Sequence, residues 1–119
     1  MNRVAVYGSL LSGLSNHAHF LGHVPKLKDD KVKGFNLYSL TSFPGIVPGT
    51  GEVKVELYDV DDQTLRSLDG LEGHPNFYKR EEVITESGEV AWIYVIQRQM
   101  SEDRRVESGD WKTYYLNRK

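Results

Sequence analysis

At 119 residues the chain has the length of a single domain (residues 1–119), enough to bury a core without covalent staples. Its 15 basic and 17 acidic side chains leave a net charge of −2 with no basic run, which argues against a nucleic-acid partner. The absence of cysteine excludes disulfides, thiolate nucleophiles and Cys-ligated zinc, and no apolar run approaches the ~20 residues of a membrane span, so a cytoplasmic protein with no membrane partner is expected.

Arg3 to Tyr7 alternates small and β-branched residues and breaks at Gly8, which predicts a first strand ending in a tight turn. The loop Gly8-Ser9-Leu10-Leu11-Ser12-Gly13 follows, then a short helix over Asn16 to Leu21, capped by Ser15 or Asn16 and interrupted by Gly22. From Lys33 the pattern turns extended, with Phe35 and Leu37 alternating with polar positions. Two proline breaks make Phe43 to Gly49 an irregular edge or loop. Gly51 to Val60 is the clearest strand: Val53, Val55 and Leu57 alternate with Glu52, Lys54, Glu56 and Tyr58, which predicts one dry and one wet face.

Asp61-Asp62 can cap the next helix, whose Leu65 and Leu68 form an apolar stripe that reaches Glu72 four residues on. Gly73 is the expected C-terminal stop, with Pro75 just beyond it. Tyr78 to Thr85 and Val90 to Gln97 read as a hairpin joined across Glu86-Ser87-Gly88-Glu89. Ser101 to Glu107 reads as a solvated loop, and Ser108-Gly109-Asp110-Trp111 begins a tail whose Trp111, Tyr114 and Tyr115 are candidates to pack on the body. The expected fold class is α+β: a small, strongly curved or closed sheet with one main helix covering an opening and a short second helix.

Glu72 is the first candidate for chemistry, because a carboxylate stands where the helix stripe calls for a core residue. Partial burial and the carbonyl ends of the helix dipole both favour the neutral acid, which makes a carboxylate a better base near neutral pH. A surface glutamate in a frayed last turn is the alternative. The second candidate is Tyr7-Gly8-Ser9-Leu10, whose consecutive N–H groups on a glycine turn can form a nest for a carboxylate or a tetrahedral oxyanion; a plain strand-end turn explains the same residues.

The histidines are weaker candidates. His19 and His23 would be i, i+4 neighbours in a helix, the spacing of a zinc pair, but Gly22 interrupts them and no carboxylate falls at a matching spacing. His74, following Gly73, is expected to point at solvent. Arg80 is expected to pair with Glu82 or Glu56 across the sheet.

Taken together, Val6-Tyr7-Gly8-Ser9-Leu10, the Leu68-Asp69-x-x-Glu72-x-x-Pro75 segment, Tyr78-x-Arg80 and Ser108-Gly109-Asp110-Trp111 resemble the γ-glutamyl cyclotransferase-like superfamily. Gly51-Glu52-Val53 and Leu57-Tyr58-Asp59-Val60 are also in its pattern, and the chain looks most like the small bacterial and AIG2-like members and γ-glutamylamine cyclotransferase. The resemblance implies a small mixed β-barrel flanked by helices, with no metal or cofactor. It further implies a γ-glutamyl small molecule held by Tyr7, Gly8, Ser9 and Leu10, Tyr78 lining the pocket, and Glu72 as the acid/base. Tyr115 lies near a C-terminal tyrosine of some relatives.

The implied reaction is cyclisation: the substrate's α-amine attacks its own γ-carbonyl, giving 5-oxoproline and a free amine. A catalytically silent γ-glutamyl-binding module and a hydrolase in which water attacks are the competing readings. A nucleophilic Ser9 has the least support, since no histidine and acid fall at triad spacings. The resemblance leaves the departing group open among a free amino acid, a γ-glutamyl-ε-lysine remnant and a biosynthetic amine.

Overall fold

The computed structural model describes residues 1–118, in the order β1 (Asn2–Val6), α1 (His17–Leu21), β2 (Lys28–Ser39), β3 (Pro44–Val60), α2 (Asp62–Glu72), β4 (Tyr78–Ile84), β5 (Val90–Ile96), a 3-10 turn at Glu102–Arg104 and α3 (Trp111–Asn117). The short run Val4-Ala5-Val6 is buried throughout because β1 lies at the centre of the sheet, antiparallel to β3 on one side and parallel to β5 on the other. The resulting mixed sheet has the strand order β2-β3-β1-β5-β4. It curls into a half-barrel, and the tip of the β4–β5 hairpin meets the far edge: Glu86 N–H donates to the Lys31 carbonyl at 2.8 Å. The α+β expectation and the strongly curved sheet are as the sequence patterns led us to expect.

Three expectations along the chain need correction. The Phe43 to Gly49 stretch is not an irregular loop: from Pro44 onward it is the first half of β3, paired with β2 through Pro44 opposite Ser39 and Pro48 opposite Phe35. Both prolines fall before the part of β3 that β1 covers, Glu56 to Val60, so their missing N–H groups take nothing from that second ladder. The extended pattern also begins at Lys28, not Lys33; the charged run Lys28-Asp29-Asp30-Lys31 shows no alternation, yet it pairs with Lys54 to Leu57. Gly34, at φ +92, absorbs the register shift between Lys33 and Phe35.

The third correction concerns the wet face of β3. Tyr58 and Glu56 are both buried, the latter to 6% exposure, because the loop after β1, α1 and α3 close over that face. Ser12 donates to Glu56 twice, from its N–H at 2.8 Å and its hydroxyl at 2.9 Å; Tyr58 donates at 2.8 Å, and Lys112 Nζ stands 3.6 Å away. Burial alone would raise the Glu56 carboxyl, but these donors outweigh it and hold it below the usual glutamate range. Its stabilisation is therefore present above the unfolded-state value near 4.5 and disappears as pH falls through the lower folded value. Glu56→Gln is expected to lose about 1–3 kcal/mol at pH 7 and to flatten the acid limb of a urea-denaturation series, since the amide leaves donors mismatched.

The C-terminal tail docks on the body through Trp111, and it does so as the helix α3. Asp110 caps α3, accepting from Thr113 N–H at 3.2 Å and from its hydroxyl at 2.8 Å. Trp111 is buried, with Tyr114 and Tyr115 flanking it at ring separations of 5.5 Å. Gly109 makes the docking possible: its φ is +68, its carbonyl accepts from Lys54 N–H at 2.8 Å, and a Cβ there would stand 2.0 Å from the Glu52 carbonyl oxygen. Among the described residues no helix is long and apolar enough to cross a membrane.

Candidate active site

Helix α2 places the acid. Asp61 caps its start, accepting from Thr64 N–H at 2.7 Å, while Leu65 and Leu68 anchor the buried stripe. Gly73 ends it in the left-handed region at φ +66, and the N–H of His74 reaches back to the Asp69 carbonyl at 3.0 Å, a fixed terminus rather than a frayed one. Glu72, on the last turn, is half-buried and its carboxyl has no ion-pair partner among the described residues; burial pushes its pKa up to about 7.

Strand β1 places the loop. After Val6 the chain turns so that Leu11 N–H bonds the Gly8 carbonyl and Asn16 N–H bonds the Ser9 carbonyl, both at 3.0 Å, while the N–H groups of Gly8, Ser9 and Leu10 are not among the donors of these turns. Ser9 Oγ accepts from Asn16 Nδ2 at 2.8 Å and has no imidazole beside it, which removes the basis for a serine nucleophile. A Cβ on Gly8 would lie 2.8 Å from Pro44 Cγ, so only glycine lets β3 close against this turn.

Tyr7, Gly8, Ser9, Leu10, Glu72 and Tyr78 all line one cavity of about 280 Å³. Tyr94 of β5 lines it too and was not foreseen; its one signal is a lone hydroxyl inside the apolar run Val90 to Ile96. All three tyrosines have their protons committed to the fold. Tyr7 donates to the Tyr94 carbonyl at 2.7 Å, Tyr78 to the Pro44 carbonyl at 2.5 Å, and Tyr94 to Asp69 Oδ1 at 2.7 Å. Burial first, and then neighbouring charges that include Glu72, push the three phenols well above the usual tyrosine value, so they stay neutral. Toward the cavity they can offer only oxygen lone pairs.

Behind Tyr94 lies an ion pair that differs from the expected one. Arg80 meets neither Glu82 nor Glu56; it grips Asp69 with two bonds of 2.9 and 3.0 Å and its guanidinium sits 4.5 Å from the centre of the Trp92 ring. Arg80 and Tyr94 are directly paired across β4 and β5, so both reach the same helix carboxylate. His74 is also corrected: it does not point at solvent, because its Nδ1 accepts from Arg80 N–H at 3.0 Å. The other histidines make separate contacts, His17 Nδ1 to the Leu10 carbonyl at 2.9 Å, His19 edge-on to Phe20, and His23 Nε2 3.4 Å from Thr64 Oγ1.

The cavity lining combines the main chain of Gly8 to Leu10, phenol oxygens and a carboxyl that titrates near neutrality, and among the described residues its only charged side chain is Glu72. That pattern suits a zwitterionic ligand and proton transfer to or from one of its nitrogens.

A family model for γ-glutamyl cyclotransferase, AIG2-like proteins matches residues 4–113 of the chain. The γ-glutamylcyclotransferase family protein YtfP of Escherichia coli is 40% identical over 109 residues, spanning 92% of this chain and 95% of that protein. A Vibrio cholerae relative is 41% identical over 109 residues, 91% of this chain and 93% of its own length. The crystal structure of an uncharacterized protein from Pyrococcus horikoshii superposes with a TM-score of 0.84 at 32% identity, covering 98% of this chain and 94% of that one.

Proposed function

Since the chain belongs to the γ-glutamyl cyclotransferase, AIG2-like family, we propose that it cyclises a γ-glutamyl amide to 5-oxoproline and releases the amine. The observation that carries this reading is a lone carboxyl, raised to about 7 by burial, in the same small cavity as the Gly8 to Leu10 main chain. The α-ammonium of the substrate lies against the oxygens of Tyr7, Tyr78 and Tyr94, where Glu72 takes its proton. The freed nitrogen attacks the γ-carbon, and the carbonyl oxygen gathers negative charge against the N–H groups of Gly8, Ser9 and Leu10. As the carbon–nitrogen bond of the amide breaks, Glu72 returns that proton to the leaving nitrogen and is a carboxylate again, and the second proton of the ring nitrogen passes to the departing amine, which leaves as an ammonium. Folding of the substrate inside the cavity supplies the proximity that ring closure needs.

The test is a mass-spectrometric screen of the purified protein against γ-glutamyl amines, amino acids and peptides. 5-Oxoproline is the expected product; free glutamate in its place would make the protein a hydrolase, and ligand-induced shifts in melting temperature without any product would make it a binding module. Gly8→Ala adds the methyl that collides with Pro44, whose carbonyl holds Tyr78, so both walls of the cavity move. The expected result is a loss of about 10²-fold in kcat/KM with an unchanged far-UV circular dichroism spectrum; near-normal kinetics would detach the loop from the chemistry.

A further inference from the structure

Phe43, Leu71 and Phe77 are exposed, yet all three line the same cavity as Glu72, so they form its mouth. They come from different parts of the chain. Phe43 sits in the turn between β2 and β3, Leu71 on the last turn of α2 beside Glu72, and Phe77 just ahead of β4. The aromatic pair is held in place: the rings of Phe43 and Phe77 are 6.2 Å apart, and Phe77 packs edge-on against Tyr78 at 5.1 Å. Phe77 is fixed from below by the helix stop, since its N–H donates to the Gly73 carbonyl at 2.9 Å and a Cβ on Gly73 would come within 3.1 Å of its own.

This arrangement bears on what leaves. The departing nitrogen has to face Glu72 to receive its proton, so whatever it carries extends past Leu71 and Phe77 toward the mouth. Among the described residues, no lysine or arginine lines the cavity to meet an anion there. Arg104 and Arg118 bond Thr41, at its hydroxyl (3.1 Å) and its carbonyl (2.7 Å), Arg118 also lies over the Tyr115 ring at 5.4 Å, and neither is part of the lining. Resting on the cyclotransferase reading, we propose that the substrate is the γ-glutamyl derivative of an apolar amine without a carboxylate, its aromatic or branched aliphatic group packed against the Phe43–Phe77 pair.

The experiment compares kcat/KM for γ-glutamyl-phenethylamine, γ-glutamyl-phenylalanine, which adds one carboxylate, and γ-glutamyl-methylamine, which removes the ring. The first is expected to exceed each of the others by about tenfold or more. Phe43→Ala and Phe77→Ala are expected to shrink the phenethylamine-to-methylamine ratio toward one, with partial recovery in Phe43→Leu. Equal or better turnover of γ-glutamyl-phenylalanine or γ-glutamyl-methylamine, with 5-oxoproline formed, overturns the amine assignment and leaves cyclisation standing. If none of the three yields 5-oxoproline, cyclisation itself fails, and calorimetric affinities for the same compounds decide: the same rank order supports the apolar grip and a flat series overturns it. A dimer in light scattering that Phe43→Ala dissolves, with no discrimination among the three, also overturns it, because the patch would then cover a second copy.

Discussion

Glu72→Gln is expected to lower turnover of an accepted γ-glutamyl substrate by about 10²–10⁴-fold and, at pH 8, to raise the melting temperature by several degrees. The two effects have one cause. Burial holds the Glu72 carboxyl near 7 in the folded protein against 4.5 when exposed, so the folded state keeps a proton that the unfolded state has already released between these values. The contribution of that proton to stability is complete below about 4.5 and is lost as pH rises through about 7. Above that, the folded protein holds a desolvated carboxylate at a cost on the order of 3 kcal/mol, which the neutral amide removes. The wild type accordingly gains kcat/KM as pH rises, with a limb near 7, while it loses stability over the same range. Near-wild-type turnover by Glu72→Gln would remove Glu72 from the chemistry, and a variant that melts below the wild type at pH 8 would overturn the burial-raised carboxyl.

Asp69→Ala is expected to cost about 2–4 kcal/mol in urea denaturation, among the largest effects of any single side chain around the cavity. The carboxylate accepts two bonds from Arg80 and one from Tyr94, with its side chain and that of Arg80 only about one-fifth exposed (20% and 19%). Burial alone would raise the Asp69 carboxyl, but the bonds from Arg80 and Tyr94 outweigh it and hold the group below the usual aspartate range. Truncation leaves a guanidinium with no counter-charge in a partly dry site and a phenol proton with no acceptor. The phenol then turns its proton toward the cavity, where it repels an ammonium. A loss of kcat/KM that Tyr94→Phe reproduces is therefore expected beside the loss of stability. A double-mutant cycle with Arg80→Ala separates the pair's own coupling from the effect on Tyr94. A cost under about 1 kcal/mol, the worth of a surface ion pair, would show that solvent screens this site fully.

The legible parts of this protein are those governed by neighbours in sequence. Asp61 followed by Leu65, Leu68 and Gly73 encodes a start, a buried stripe and a stop within four turns, and the helix that results carries Glu72 inward as the stripe requires. The Gly8 turn and the hairpin across Ser87-Gly88 are equally local, and the family resemblance implies one pocket for the loop and the acid. The misread parts depend on what covers them. Alternation in β3 predicts a wet face at Glu56 and Tyr58, but Ser12, His17 and Lys112 arrive from elsewhere in the chain and bury both. Pro44 and Pro48 read as breakers, since their tolerance depends on where β1 stops pairing.

By itself the sequence determined the family, the α+β class, the caps of α2, and the six residues Tyr7, Gly8, Ser9, Leu10, Glu72 and Tyr78 that line the cavity. Only the tertiary structure decided where protons and charges rest: that Arg80 belongs to Asp69, that three tyrosines turn acceptor faces inward, and that Phe43 and Phe77 meet at the mouth. The physical reason is range. Dihedral preferences, caps and hydrophobic periodicity act over a few residues, while a hydrogen bond between Tyr94 and Asp69 exists only once a curled sheet has brought β5 beneath α2.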